Sequence, residues 1–260
     1  MSIAMGRSVC IGFLSVVLSI GYGRQKADKS DLSVPEIQFE KQQSDLIHAI
    51  RFHDAKTVEA LMKQHIDPNF LYRDEPKDEF VSPLTEAIAE RQLRIIALLF
   101  ENGADPNFGV QKGLVPVAIA AWYDDLDTLK ELIKRGANIN ATTTDGYTPL
   151  LMAASTARGV DLIRTLYAAG ADVNVKSKNH GSNAIMLSAA NLNPSAVDFF
   201  IEAGVDPCAK DAEGETAVDY TNVSILTPQQ TRELVARREI LRQLRKKCGS
   251  KAIVGKKGAA

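Results

Sequence analysis

Residues 145–174 read DGYTPLLMAASTARGVDLIRTLYAAGADVN, and the chain from about Ser44 to Tyr220 is a series of variations on them. Asp145-Gly146 marks a tight turn, because glycine takes dihedrals that other residues avoid. Thr148 can cap a helix, and Pro149 follows at a position whose missing N–H costs nothing. Leu150, Leu151, Ala153 and Ala154 predict a short helix with small residues at close-contact positions. A second helix is predicted over 161–168, with Leu162, Ile163, Leu166 and Tyr167 as its apolar stripe. Gly170 stops it, and Ala171 to Asn174 lead out to the next turn.

The slot of Pro149 recurs at Asp45, Pro83, Pro116, Ala184 and Ala217, in steps of 38, 33, 33, 35 and 33 residues along the chain. The slot of Gly170 recurs at His65, Gly103, Gly136 and Gly204, in steps of 38, 33, 34 and 34. Two independent markers with one period mean a structural repeat. A short helix pair cannot bury its own apolar face, so neighbouring units must stack. T-P-L, then A-A, then G-A-D-x-N resembles the ankyrin repeat at each diagnostic slot. The resemblance implies an all-α repeat fold, a solenoid of helix-turn-helix units with short β-turn connections. Five to six units occupy 44–227, and a long basic capping helix follows over 228–248.

The ends of the chain depart from the repeat. Residues 1–23 carry Arg7, then a 12-residue run from Val9 to Ile20 broken by Gly12, Ser15 and Ser19, then Gly21-Tyr22-Gly23. That pattern predicts a cleaved secretory signal, and hence a periplasmic or secreted protein. An uncleaved N-terminal anchor is the alternative. Residues 24–43 read as a polar lead-in, and 249–260 as a flexible basic tail. The first unit is degenerate, as expected of an end that has one wet face. An insertion follows it, Phe70 to Ser82, holding a charged stretch from Arg73 to Glu79. The net charge of −1 conceals an asymmetry. From residue 221 onward there are 10 Lys or Arg against 2 acidic residues, and in the remainder 21 against 30.

Catalytic and metal chemistry find little support. His48 and His53 lie five apart, off the i,i+4 spacing of a helical zinc pair, and no cysteine is near. Nucleophile elbow, phosphate-binding glycine loop and HExxH patterns are absent. The expectation is a protein without enzymatic activity, cofactor or metal. Cys208 and Cys248 remain once Cys10 leaves with the signal, either as two lone thiols or as a pair. Arg237, Arg238, Arg242, Arg245, Lys246 and Lys247 crowd the capping helix. No aromatic residue lies among them for base stacking, so nucleic acid is not an expected partner. A weak contact with an anionic membrane surface is compatible with the charge, as is a merely solvated cap.

The ankyrin resemblance implies a protein-binding module, with partner contacts on turn tips and on the concave face of the first helices. At the tips these positions are Gln111, Lys112 and Leu114, then Thr144, Asp145 and Tyr147, then Asn179, His180 and Ser182. On the first helices they are Glu90, Trp122, Tyr123, Ser155, Thr156 and Asn191. Trp122 and Tyr123 are the candidate anchors, because aromatic side chains bury much area at low entropic cost. They are adjacent and cannot both sit in one core stripe. A monomer binding one protein partner is expected. Two alternatives share the same fold: a stress-protective or toxin-neutralising envelope protein using the Arg73–Glu79 stretch, and a membrane-anchored scaffold.

Overall fold

The computed structural model describes residues 34–74, 79–110, 113–156, 160–221 and 231–248, with side chains outside the description at 34–39, 74, 79 and 231–234. The expected signal, the basic tail, and Gln111 and Lys112 lie outside these residues. The chain divides into two units, 1–116 and 117–260. The fold is mostly helical, with one short two-stranded sheet among the described residues.

In the first unit, α1 runs over Val34–Arg51 and α2 over Ala55–Met62. Helix α1 begins inside the stretch read as a lead-in, and Leu46, Ile47 and Ile50 are fully buried among its described side chains. Asp54 caps α2 by accepting from the backbone N–H groups of Lys56 and Thr57, at 3.2 and 3.1 Å. The insertion folds as an antiparallel hairpin of β1 (Tyr72–Asp74) and β2 (Glu79–Val81), with Tyr72 opposite Val81. Residues 75–78, most of the charged stretch, are not described. Helix α3 (Pro83–Ala89) and helix α4 (Leu93–Glu101) complete the second repeat. Ser82 and Thr85 form a reciprocal cap at the start of α3. Ile95, Ile96, Leu99 and Phe100 are the buried stripe of α4, at helical spacing.

In the second unit the helices come in pairs. They are α5 (Pro116–Trp122) with α6 (Leu126–Lys134), α7 (Pro149–Thr156) with α8 (Asp161–Ala168), and α9 (Ala184–Ala190) with α10 (Pro194–Glu202). Then come a one-turn α11 (Ala217–Tyr220) and the long α12 (Thr231–Cys248). The first helices are short and buried nearly all round: Leu150 to Ala154 in α7 and Ala184 to Ala189 in α9. The second helices bury one stripe and wet the other. Leu162, Ile163 and Leu166 are buried on α8, whereas Arg164 and Ala168 are exposed. Helix α9 packs on α7, α10 and α11, and α12 packs on α10 and α11. Helix α12 therefore fills the second-helix position of the last unit.

The apolar residues of the capping helix are unevenly placed. Ile240 and Leu244 are fully buried and Leu241 is half-buried, while the side chain of Leu234 is not described. The expected helix start at Pro228 lies in 222–230, also outside the described residues.

The turns between paired helices hold a regularity that sequence alone does not advertise. His53, Arg91, Asp124 and Leu192 all adopt left-handed backbone, with φ between 52 and 58°. The residue after each donates its N–H back across the turn: Asp54 to Ala49, Gln92 to Ala87, Asp125 to Ala120 and Asn193 to Ser188, at 2.9–3.0 Å. That bond satisfies a carbonyl left over at the helix end. Glycine would suit the dihedral, yet none stands at these four positions. His65 likewise takes the left-handed slot that Gly103 fills one repeat later, at φ 58°.

Candidate binding surface and the closing loops

Each repeat of the second unit ends in a finger closed by a polar side chain. Thr143 N–H donates to the Tyr147 carbonyl, and Tyr147 N–H returns to Thr143 Oγ1, both at 3.0 Å. Ser177 and Ser182 repeat the arrangement at 3.0 and 3.1 Å, and Asp211 and Glu215 at 2.9 and 2.8 Å. Successive fingers then bond to one another. Lys178 N–H donates to the Asp145 carbonyl, and Ala212 N–H to the His180 carbonyl, both at 2.8 Å. Gly146 is required at this contact: its φ is +76°, and a Cβ there would stand 2.9 Å from Lys178 N. Side chains reinforce the rungs. Asn179 donates to Asp145 Oδ1 at 3.0 Å, and His180 Nδ1 stands 3.4 Å from Glu213 Oε1.

This architecture sorts the expected tip residues. Thr144, Asn179 and His180 are exposed. Asp145 and Tyr147 are half-buried within the finger itself. Burial, then the nearby Asp145 charge, push the Tyr147 hydroxyl above its ordinary pKa, and a Ser177 hydrogen bond opposes them. Ser182 is a correction: it is buried at 2% exposure rather than offered at a tip. Its hydroxyl lies 2.7 Å from Tyr220 Oη, which donates to Asp211 Oδ2 at 2.9 Å. Tyr220 spends its one proton on Asp211, so Ser182 is the donor to Tyr220. Burial is the main reason the Tyr220 hydroxyl is pushed up to about 12; the Asp211 carboxylate adds to it and Ser182 opposes it.

The first-helix residues form a row. Trp122 and Tyr123 end α5, Ser155 and Thr156 end α7, and Ala190 and Asn191 end α9, all half-exposed. Thr156 Oγ1 donates to the Met152 carbonyl at 2.8 Å and approaches the Ala121 carbonyl at 3.3 Å, tying the end of α7 to that of α5. Ser155 Oγ also turns back, to Met152 O at 2.8 Å. The hydroxyls are thus largely spent on backbone, which leaves the two aromatics as the large partly exposed side chains of the row. In the first unit, Glu90 is exposed at the end of α3 with His53 Nε2 at 3.6 Å, and Leu114 is half-buried.

The loops that close each repeat hold the adjacent repeat through asparagine, a role that the spacing alone did not assign. In the first unit Asn69 Nδ2 donates to the Gly103 carbonyl at 3.0 Å, and Asn69 Oδ1 accepts from Asp105 N–H at 2.7 Å. In the second, Asn140 does the same with Gly170 at 3.1 Å and Asp172 at 2.9 Å. The corresponding residue after Gly204 is Cys208. It is joined by a disulfide to Cys248, the last residue of α12, with Cα atoms 5.7 Å apart. That bond answers the open question of pairing. Asp198, Ile201 and Glu202 of α10 line one groove with Arg242, Gln243, Lys246 and Lys247 of α12, and the C-terminal end of α12 lies beside the loop that follows α10.

Comparison with known proteins agrees with this geometry. The family model for ankyrin repeats, in three copies, matches residues 117–219. An ankyrin repeat protein of fowlpox virus (strain NVSL) is 25% identical over 181 residues, covering 70% of this chain and 93% of that protein. An ankyrin repeat-containing protein of Schizosaccharomyces pombe is 27% identical over 150 residues, 56% of this chain and 70% of that protein. The palmitoyltransferase ZDHHC13 of Homo sapiens is 30% identical over 138 residues, 53% of this chain but only 22% of that enzyme. With the repeat matched in three copies, and with finger, helix pair and closing loop all in place, the chain belongs to the ankyrin repeat family.

Proposed function

We propose that this chain is a non-catalytic protein-binding module that acts as a monomer outside the cytoplasm. Ankyrin repeats are generally protein–protein interaction modules. The observation that carries the reading is the half-exposed row at the ends of α5, α7 and α9, with Trp122 and Tyr123 at one end. An aromatic pair partly wet in the free protein still has area to bury against a partner, at little entropic cost. The location outside the cytoplasm draws support from the signal-like residues 1–23 and from the Cys208–Cys248 bond, since disulfides persist in oxidising compartments. The test replaces Trp122 and Tyr123 with alanine and follows both partner capture from the native cell envelope and the melting temperature. Lost capture with a melting temperature within a few degrees supports the reading. Capture undiminished in the double variant sinks it, and collapsed melting assigns the pair to packing.

A second, weaker contact rests on α12. Arg238, Arg242, Arg245 and Lys246 share one face at i, i+4, i+7 and i+8, with Val235 60% exposed among them. Glu239 pairs with Arg242, while Arg238, Arg245, Lys246 and Lys247 make no ion pair among the described residues. Such a face suits an anionic membrane surface. Vesicles with and without phosphatidylserine, co-sedimented with the protein, test it; equal binding to both removes the membrane role.

A further inference from the structure

The end of the stack carries an inference that goes beyond partner binding and does not depend on which partner the row takes. The closing motif ends in asparagine at 69, 107, 140 and 174, and in cysteine at 208. Asn69 and Asn140 each reach the following closing loop, taking its glycine carbonyl and its aspartate N–H. Among the described residues no closing loop succeeds Cys208. The next long element is α12, which ends at Cys248, and the sulfur–sulfur bond stands where the asparagine bridge would be.

Among the described residues, few apolar side chains hold this 18-residue helix. Its first-helix partner α11 has only four residues. Ile240 and Leu244 are its fully buried apolar side chains among those described, and Gln243 sits between them with an unpartnered, buried Oε1. That atom weakens the contact, because a buried acceptor without a donor costs free energy. Both cysteines are half-exposed, within reach of an attacking thiolate.

We propose that Cys208–Cys248 is a thiol-exchange site that latches the capping helix, so that docking of α12 is under redox control. The reductant is a dithiol. One of its thiolates attacks a cysteine sulfur, the S–S bond breaks, and a mixed disulfide forms with release of the other cysteine thiolate. The second thiol of the reductant then displaces the mixed disulfide. The dithiol leaves as a disulfide, two electrons having passed to the protein, and Cys208 and Cys248 remain as two thiols. With the latch open, α12 moves away from α10 and α11 and uncovers their apolar faces.

The experiment uses the full chain, before and after dithiothreitol, with iodoacetamide alkylation and amide hydrogen exchange. Reduction adds two alkyl groups beyond any carried by Cys10. Exchange across 240–248 then rises about a hundredfold or more, while 150–154 in α7 stays protected. The variant Cys208→Asn restores the residue of the other closing loops and is folded by the same repeats. It exchanges across 240–248 as fast as the reduced protein, because no following loop receives the asparagine. The proposal is overturned if reduction leaves 240–248 as protected as before. It is equally overturned if Cys208→Asn matches the oxidised protein, or if both cysteines alkylate without reductant.

Discussion

Asn140 and Cys208 occupy the same slot two repeats apart and solve different problems. Asn140 sits between two complete repeats and holds the next loop with two hydrogen bonds, at 3.1 and 2.9 Å. Both partners are backbone groups that the repeat itself supplies, so the device can be copied from unit to unit. Cys208 sits where the repeat runs out. Its neighbour is a helix reached through a nine-residue connection outside the described residues, and the join is covalent. The interior is held by many weak bonds in register, and the end by one strong bond that needs no register. A terminal repeat lacks half its packing, so its stability must come from elsewhere.

The largest expected effect breaks the end. Cys248→Ser opens a closed loop with a sequence separation of 40 and costs about 4 kcal/mol of cap stability by loop-closure entropy. Urea titration of the oxidised and variant proteins, read across 240–248, measures it. A loss below about 1 kcal/mol would erase the difference between the two regions. Asn140→Ala is the interior counterpart. It removes two hydrogen bonds at an exposed site, for an expected loss of about 1–2 kcal/mol. A value as large as that of the cysteine variant would make the asparagine bridge, not the disulfide, the stronger join.

A smaller effect separates the two regions by pH. Tyr220 titrates near 12 when folded, above the ordinary value of 10, so the fold favours its protonated form. The stabilisation is complete below about pH 10 and is lost as pH rises from about 10 through 12. Thermal melts of wild type and Tyr220→Phe from pH 8 to 11.5 expose it. The wild type loses stability more steeply above pH 10, and parallel curves would assign no role to Tyr220. The smallest effect is expected at the basic end. Arg245, Lys246 and Lys247 replaced together by glutamine leave the melting temperature within about two degrees, since exposed charges contribute little to folding. A larger drop would mean that the basic end helps hold the cap.

Much of the fold was legible because a repeat reports itself several times over. Proline at the head of a helix, an apolar stripe at helical spacing and glycine at its end are local signals. Their recurrence from Pro83 to Ala217 left one architecture able to bury the stripes. The candidate surface was legible as a set of positions and less so as a set of available atoms. Thr144, Asn179 and His180 are exposed as expected, whereas Ser182 is buried against Tyr220, 38 residues further along the chain. No local pattern reports a bond across that separation. The signal-like residues 1–23 and the charged 75–78 stretch rest on sequence alone.

The sequence by itself determined what depends on neighbours along the chain: helix pairs, their period, the cap residues and the stacking that short amphipathic helices require. Tertiary structure decided what depends on neighbours in space. It packed α12 on α10 and brought Cys248 to Cys208, a meeting that spacing along the chain does not report. It held His53, Arg91, Asp124 and Leu192 in left-handed turns without glycine, because the bond back across each turn and the packing of both helices outweigh a modest local strain. It also gave Asn140 its work, since an asparagine can bridge two loops only after stacking has set them a hydrogen bond apart.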